Sequence, residues 1–184
     1  NTSGQNFEDA IRQYKYERDF KTRLLKFKAG CLAHFAMDLN EVYMCTYLKG
    51  KSSFFLPFNK GCGVGINSGK GNPHNDNGIN VSYMWEDILK KDTVLYLIDK
   101  IIFLQKETKK NPDTSKKENK ESLIFPRYHQ FNAVRKMVND VMENGSSKNY
   151  LIEHSAGSGK TNTIAWLSHR LSSLHSAEDK PIFD

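Results

Sequence analysis

A chain of 184 residues has room for one ordinary domain or two small ones, and 38% hydrophobic with 11% aromatic content supplies a packed core, which excludes wholesale disorder. A net charge of +6 favours an anionic partner, and no apolar run approaches the ~20 residues of a membrane span, so no membrane association is expected. Cys31, Cys45 and Cys62 have neither metal-ligand spacing nor an even count for disulfides, and nothing reads as a signal peptide. Reduced thiols, with Cys31 and Cys45 as ordinary strand residues, and a cytoplasmic location are therefore expected.

In chain order, residues 8–18 have helical character, with Phe7, Ile11 and Tyr14 at helical spacing. Residues 31–37 and 42–47 are strand-like runs joined by a hairpin turn at 38–41, and 54–58 is a third strand whose Pro57 belongs at a sheet edge. Residues 59–80, rich in Gly and Asn, read as a long loop. Within them Gly61, Gly63, Gly65 and Gly69-Lys70-Gly71 imitate a phosphate loop, but no strand leads in and no Ser or Thr follows the lysine. Residues 82–105 resume helical periodicity as two helices broken near 91–93. Their core-type positions are Met84, Trp85, Ile88, Leu89, Leu95, Ile98, Ile101 and Ile102.

Residues 106–122 are polar, lysine-rich and nearly free of aliphatic side chains, which reads as a linker. The expected organisation is a mixed α/β piece over 1–105, a lysine-rich linker over 106–123 and the start of a second domain over 124–184. The first residue is Asn1 rather than Met, and Asp184 closely follows the last expected helix, so a segment of a longer protein is expected.

Beyond the linker lies Phe125-Pro126-Arg127-Tyr128-His129-Gln130, then a helix with Phe131, Val134, Val138 and Val141 on one face. Gln130 has the donor–acceptor pair that reads an adenine bidentately, or is simply an N-terminal helix residue. Residues 149–153 read as a short buried strand. Ser155-Ala156-Gly157-Ser158-Gly159-Lys160-Thr161 follows, and a helix opens with Ile164, Leu167, Leu171 and Leu174 on one face. Strand, glycine-rich turn and helix is the context in which main-chain N–H groups converge on phosphate oxygens. Gly157, Ser158 and Gly159 bring the backbone close to the ligand, Lys160 supplies a point charge for the β- and γ-phosphates, and the Thr161 hydroxyl sits on Mg2+. The strict pattern places a Gly five residues before Gly159, where His154 stands; the competing reading is a surface turn.

These residues, together with 8–14, 34–38 and 54–61, make the chain resemble the restriction (motor) subunit of type I restriction–modification enzymes. The stretches 124–130 and 149–161 are its most specific parts, and His154 matches that family's variant of the loop. The resemblance implies an α/β fold: part of a restriction-endonuclease-like domain, a mixed sheet with helices, and then the start of a RecA-like P-loop helicase domain. It implies ATP and Mg2+ as cofactors, and double-stranded DNA as the partner that is translocated and cut. It also implies methyltransferase (modification) and specificity subunits as companions, with unmethylated foreign DNA as the target. ATP is assigned to Arg127, Gln130 and residues 157–161.

The family's nuclease carboxylates, an Asp and a Glu-x-Lys, are expected ahead of Asn1. Glu107-Thr108-Lys109, Glu118-Asn119-Lys120 and Glu178-Asp179-Lys180 match by letter but read as lying off strands. On the helix that follows those carboxylates the family carries a Gln and a Tyr four residues apart facing the active site. Gln13 and Tyr14 are the candidates for that role here, although they are adjacent and Ala10 stands where the Gln belongs. The segment alone is expected to be inactive. The basic cluster Lys15, Arg18, Lys21, Arg23, Lys26 and Lys28 is either a DNA contact or a solvated face. The alternatives to a restriction motor are a stand-alone DNA or RNA helicase with an accessory domain, and a non-catalytic nucleic-acid-binding module.

Overall fold

A computed structural model describes residues 4–63, 69–110, 117–145 and 148–175. The chain divides into two compact units, Asn1–Phe125 and Pro126–Asp184. Among the described residues, helices accompany two small sheets, both antiparallel, in place of the mixed sheet expected.

Helix α1, Phe7–Arg12, starts where Asn6 caps it: the Asn6 Oδ1 accepts the N–H groups of Glu8 and Asp9 at 2.9 and 3.2 Å, and Asp9 Oδ2 accepts the Asn6 N–H at 3.0 Å. It runs on through a π-helical turn, Gln13–Glu17, and ends at Arg18, which is extended. Its inward face stacks Phe7 on Tyr43 at 4.4 Å and sets Tyr14 against His34 and Phe55, each at 5.7 Å.

Strands β1, His34–Met37, and β2, Val42–Cys45, form the expected hairpin, in register from His34 opposite Cys45 to Met37 opposite Val42. Asp38 closes the turn, its Oδ1 accepting the N–H groups of Asn40 and Glu41 at 2.7 and 2.9 Å. Strand β3, Leu56–Pro57, is short and lies at the sheet edge, where a residue without an N–H costs no ladder bond. On the other sheet face the rings of Phe35, Phe58 and Phe125 meet edge to face at 5.7–6.1 Å, and Phe58 is buried. Cys45 is a buried residue of β2, whereas Cys31, expected in a strand, is exposed ahead of β1.

The Gly/Asn-rich stretch is held by asparagine side chains. Asn72 Nδ2 donates to Asn40 O and Asn59 Oδ1 at 2.7 and 2.9 Å, Asn59 Oδ1 also accepts the Val42 N–H at 2.8 Å, and Asn80 Nδ2 donates to Asn40 Oδ1 at 3.0 Å. Its glycines are tied back on themselves, Gly61 N–H to Gly71 O and Cys62 N–H to Lys70 O, so those amides have acceptors already. Residues 64–68 lie outside the described part.

A π-helical turn, Met84–Ile88, precedes α2, Lys91–Tyr96, which continues as a second such turn, Leu97–Ile101. Met84, Ile88, Leu97 and Ile101 are buried, but Trp85, Leu89, Leu95 and Ile98, expected in the core, are about half exposed. In the lysine-rich stretch the described residues lie on two strands rather than in an open linker: β4, Phe103–Lys110, pairs antiparallel with β5, Lys117–Ile124, and residues 111–116 lie outside the described part. The register sets Lys106 opposite Glu121 and Glu107 opposite Lys120, so charges that look unpaired along the chain meet their opposites across the ladder. Two of the Glu-x-Lys triplets, at 107–109 and 118–120, therefore do lie on strands, and they face each other in a self-complementary ladder. Glu178-Asp179-Lys180 falls outside the described residues.

In the second unit α3, Tyr128–Asn144, buries Phe131, Val134, Met137, Val138 and Val141, and α4, Lys160–Ser172, buries Thr163 and Trp166. The apolar stripe of α4 is rotated from that expected: Leu174, just past the helix, is buried, but Ile164 is 64% exposed. Residues 149–153 form no strand, and Leu151 is 90% exposed. Strands are held by ladder bonds to neighbours, and the described residues of this unit contain no other strand to supply them.

Candidate phosphate-binding site

Asp140 on α3 anchors the segment that enters the loop. Its carboxylate accepts hydrogen bonds from the Tyr150 hydroxyl, from Lys148 Nζ at 3.0 Å and from Asn144 Nδ2 at 2.8 Å. The Tyr150 bond, followed by that of Lys148, holds the Asp140 carboxyl below its ordinary range, and the same carboxylate pushes the Tyr150 phenol up.

The chain then turns on two glycines. Gly157 has φ 73°, and Gly159 has φ 85° and ψ 31°, the left-handed region that side chains disfavour. A Cβ at Gly157 would meet no atom within 4 Å; at Gly159 it would lie 2.5 Å from Gln130 Nε2. The turn that contains Gly157 is closed by Ser158 N–H donating to Ser155 O at 3.3 Å. Gly159 is the N-cap of α4, and its carbonyl accepts the N–H groups of Asn162 and Thr163 at 3.1 and 3.4 Å. The N–H groups that open a helix have no acceptor inside it and carry its positive dipole end. At this helix they belong to Lys160 and Thr161.

Lys160 bends back over the loop, its Nζ donating to His154 O at 2.8 Å and to Ser155 O at 3.1 Å. The Thr161 side chain is exposed. Gln130 is 4% exposed at the third position of α3. Its Oε1 accepts the Arg127 N–H at 2.8 Å, and its Nε2 donates to Gly159 O at 2.9 Å. Both ends of the amide therefore hold the start of α3 to the start of α4, and reading an adenine would require these bonds to be exchanged. Arg127 is the N-cap of α3 and is half-buried.

Two histidines flank the loop. The rings of His129 and His154 meet edge to face at 4.7 Å, and His129 Nε2 lies 3.4 Å from the Ser158 carbonyl. Burial, and then the neighbouring His154 and Arg127 charges, hold His129 below its ordinary value, although the Ser158 carbonyl pulls the other way. The hydroxyls of Ser158 and Thr163 are buried without a hydrogen-bond partner. His129, beside the Ser158 carbonyl, and Thr163, whose N–H is bonded to the Gly159 carbonyl, adjoin the loop without being visible in its motif. The glycine-lysine motif points to the loop, but nothing in the spacing shows that the His129 ring reaches that of His154, 25 residues further along the chain.

Gln13 and Tyr14 belong to the first unit. Tyr14 packs on His34 and Phe55, and the Arg18 guanidinium lies 5.3 Å from its ring centre while an Arg18 Nη donates to Gln13 Oε1 at 3.4 Å. Of the basic cluster, Lys28 pairs with Glu121 at 2.6 Å, while Lys21, Arg23 and Lys26 are exposed. Among the described residues no group of three or more His, Cys, Asp and Glu is placed to hold a metal ion, and no helix is long and apolar enough to cross a membrane.

Chemically, the loop gathers the N–H groups that open α4 and the Lys160 ammonium around a turn of small residues, a donor set for a multiply charged anion. Comparison with protein-family profiles, with curated proteins and with solved structures finds no match to this chain.

Proposed function

We propose that the loop at 154–161 binds the polyphosphate of ATP, and that the chain belongs to the ATP-dependent, DNA-translocating endonuclease subunit of a type I restriction enzyme. One observation carries the first part: paired left-handed glycines lead directly into a 13-residue helix, with the Lys160 ammonium folded over the turn. In this reading the N–H groups at the start of α4 take phosphate oxygens, and Lys160 exchanges two carbonyls for the β- and γ-phosphates. The exposed Thr161 hydroxyl is the side chain that would hold Mg2+ here, and the ion would supply charge neutralisation at the phosphates. Phosphoryl transfer in such sites is positioning and charge neutralisation, and the lysine is central to both.

The second part rests on the sequence resemblance, which runs through both units. Double-stranded DNA is the expected partner, with modification and specificity subunits as companions. The exposed Lys21, Arg23 and Lys26 and the net charge of +6 suit a phosphate backbone.

The test is ATP affinity in the presence of Mg2+. Lys160→Ala removes the one ammonium of the loop and is expected to weaken binding about tenfold or more. Unchanged affinity would remove the phosphate-binding reading and favour a binding module with an incidental glycine turn.

A further inference from the structure

We infer that His129 and Gln130 are positioning residues of the phosphate loop: from the first turn of α3 they hold two successive loop carbonyls, and so aim the N–H groups of Gly159 and Lys160 at the anion. The inference rests on the phosphate-binding reading and names what orients the main-chain donors of that site.

The geometry is that of the peptide unit. No described peptide bond is cis, and in a trans unit the C=O and the N–H point in opposite directions. His129 Nε2 lies 3.4 Å from the Ser158 carbonyl, which shares its plane with the Gly159 N–H. Gln130 Nε2 donates at 2.9 Å to the Gly159 carbonyl, which shares its plane with the Lys160 N–H. Each side chain that grips a carbonyl therefore directs the N–H of the same plane away from itself.

The two planes differ in what else holds them. The Gly159 carbonyl also accepts the N–H groups of Asn162 and Thr163, so the first turn of α4 orients that plane as well. The Ser158 carbonyl stands ahead of the helix. Flipping its plane changes φ of Gly159, and a glycine, here at 85°, takes either sign of φ at no steric cost. Backbone sterics leave this plane undetermined, and the hydrogen bond from His129 selects one orientation.

Both donors are set for that task. Burial, followed by the His154 and Arg127 charges, favours the neutral His129 ring, which carries a single N–H. The carbonyl beside Nε2 draws that proton to Nε2. Gln130 is buried, and its Oε1 is taken by the Arg127 N–H at 2.8 Å, which leaves Nε2 to face the loop.

The test compares the affinity of the full chain, with Mg2+, for ATP and for inorganic tripolyphosphate, which has no base to read. His129→Leu removes one donor, and Gln130→Glu keeps the bond to Arg127 but puts an acceptor against the Gly159 carbonyl. Each is expected to weaken both ligands alike, about fivefold or more. His129→Gln loses the ring but keeps an N–H donor of similar reach, and is expected to bind within about twofold of the wild type. Both His129 variants lose the ring contact with His154, so a packing role would affect them equally. An equal loss in the two His129 variants, or unchanged tripolyphosphate affinity in His129→Leu, would overturn the inference. A loss confined to ATP in Gln130→Glu would overturn it too, by returning Gln130 to base recognition. Lys160→Ala, measured alongside, separates the two levels. If it loses tripolyphosphate while the α3 variants keep it, the phosphate-binding reading stands and the inference alone fails. If the wild type binds neither ligand, or Lys160→Ala binds as the wild type does, the underlying reading fails and the inference falls with it.

Discussion

Gly159 meets two constraints at once: a left-handed backbone at φ 85° and an amide nitrogen 2.5 Å from where a Cβ would stand. An alanine there adopts a strained backbone and pushes Gln130 away from the carbonyl that it holds. Gly159→Ala is expected to cost about 2 kcal/mol of stability in denaturant unfolding. ATP affinity should fall with it, since the cap of α4 shifts. Gly157→Ala keeps the backbone strain but meets no neighbour within 4 Å, so it should be the milder change in the same measurement. The glycines were legible in the sequence because a phosphate loop demands them. The distinction between them was not, because it depends on Gln130 arriving from another helix. Gln130 itself shows why one residue type is ambiguous: an amide fitted to pair with a base is equally fitted to join a helix N–H to a loop carbonyl.

At the scale of elements, legibility followed the kind of periodicity that each segment carries. The apolar stripe Phe131, Val134, Val138 and Val141 predicted α3, and all four side chains are buried. The β1–β2 hairpin was read from two apolar runs around a short polar turn, and only its ends shortened. The β4–β5 hairpin was missed because its alternation is written in charge. The signal was present as a repeat: Lys106-Glu107 and Lys120-Glu121 run in the same order along the chain, so antiparallel pairing sets each lysine opposite a glutamate. The half-exposed Trp85, Leu89, Leu95 and Ile98 were misplaced because helical spacing fixes which residues share a stripe, not which stripe faces inward. Residues 149–153 have strand composition without another strand among the described residues of their unit, and composition alone supplies no ladder.

Across the whole molecule, acid should weaken both units through the same chemistry. His34, buried on β1 beside Tyr14, and His129, beside the loop, are both held below the ordinary histidine value of 6.5, chiefly by burial. A depressed folded value favours the neutral ring, so the stability it preserves is complete above 6.5 and is lost as pH falls from there through the folded values. Glu121 and Asp140 are also held below their ordinary values, 4.5 and 3.8, so their contributions are lost only at more acid pH. Unfolding followed from pH 7.5 to pH 5 should therefore show stability declining from about pH 6.5 downward, where free histidine takes up its proton. His129→Gln should flatten that decline, and an equally steep curve in the variant would assign it to other groups.

The site itself is tested most directly by following the backbone amides of the isotope-labelled chain by NMR while ATP and Mg2+ are added. If main-chain N–H groups at the start of α4 and the ammonium of Lys160 hold the polyphosphate, the amides of residues 157–161 shift most, and Lys160→Ala abolishes the change. Gly61, Cys62 and Gly69, whose amides are already bonded within their own loop, should stay in place. Shifts centred on that second glycine cluster, or none at 157–161, would contradict the assignment.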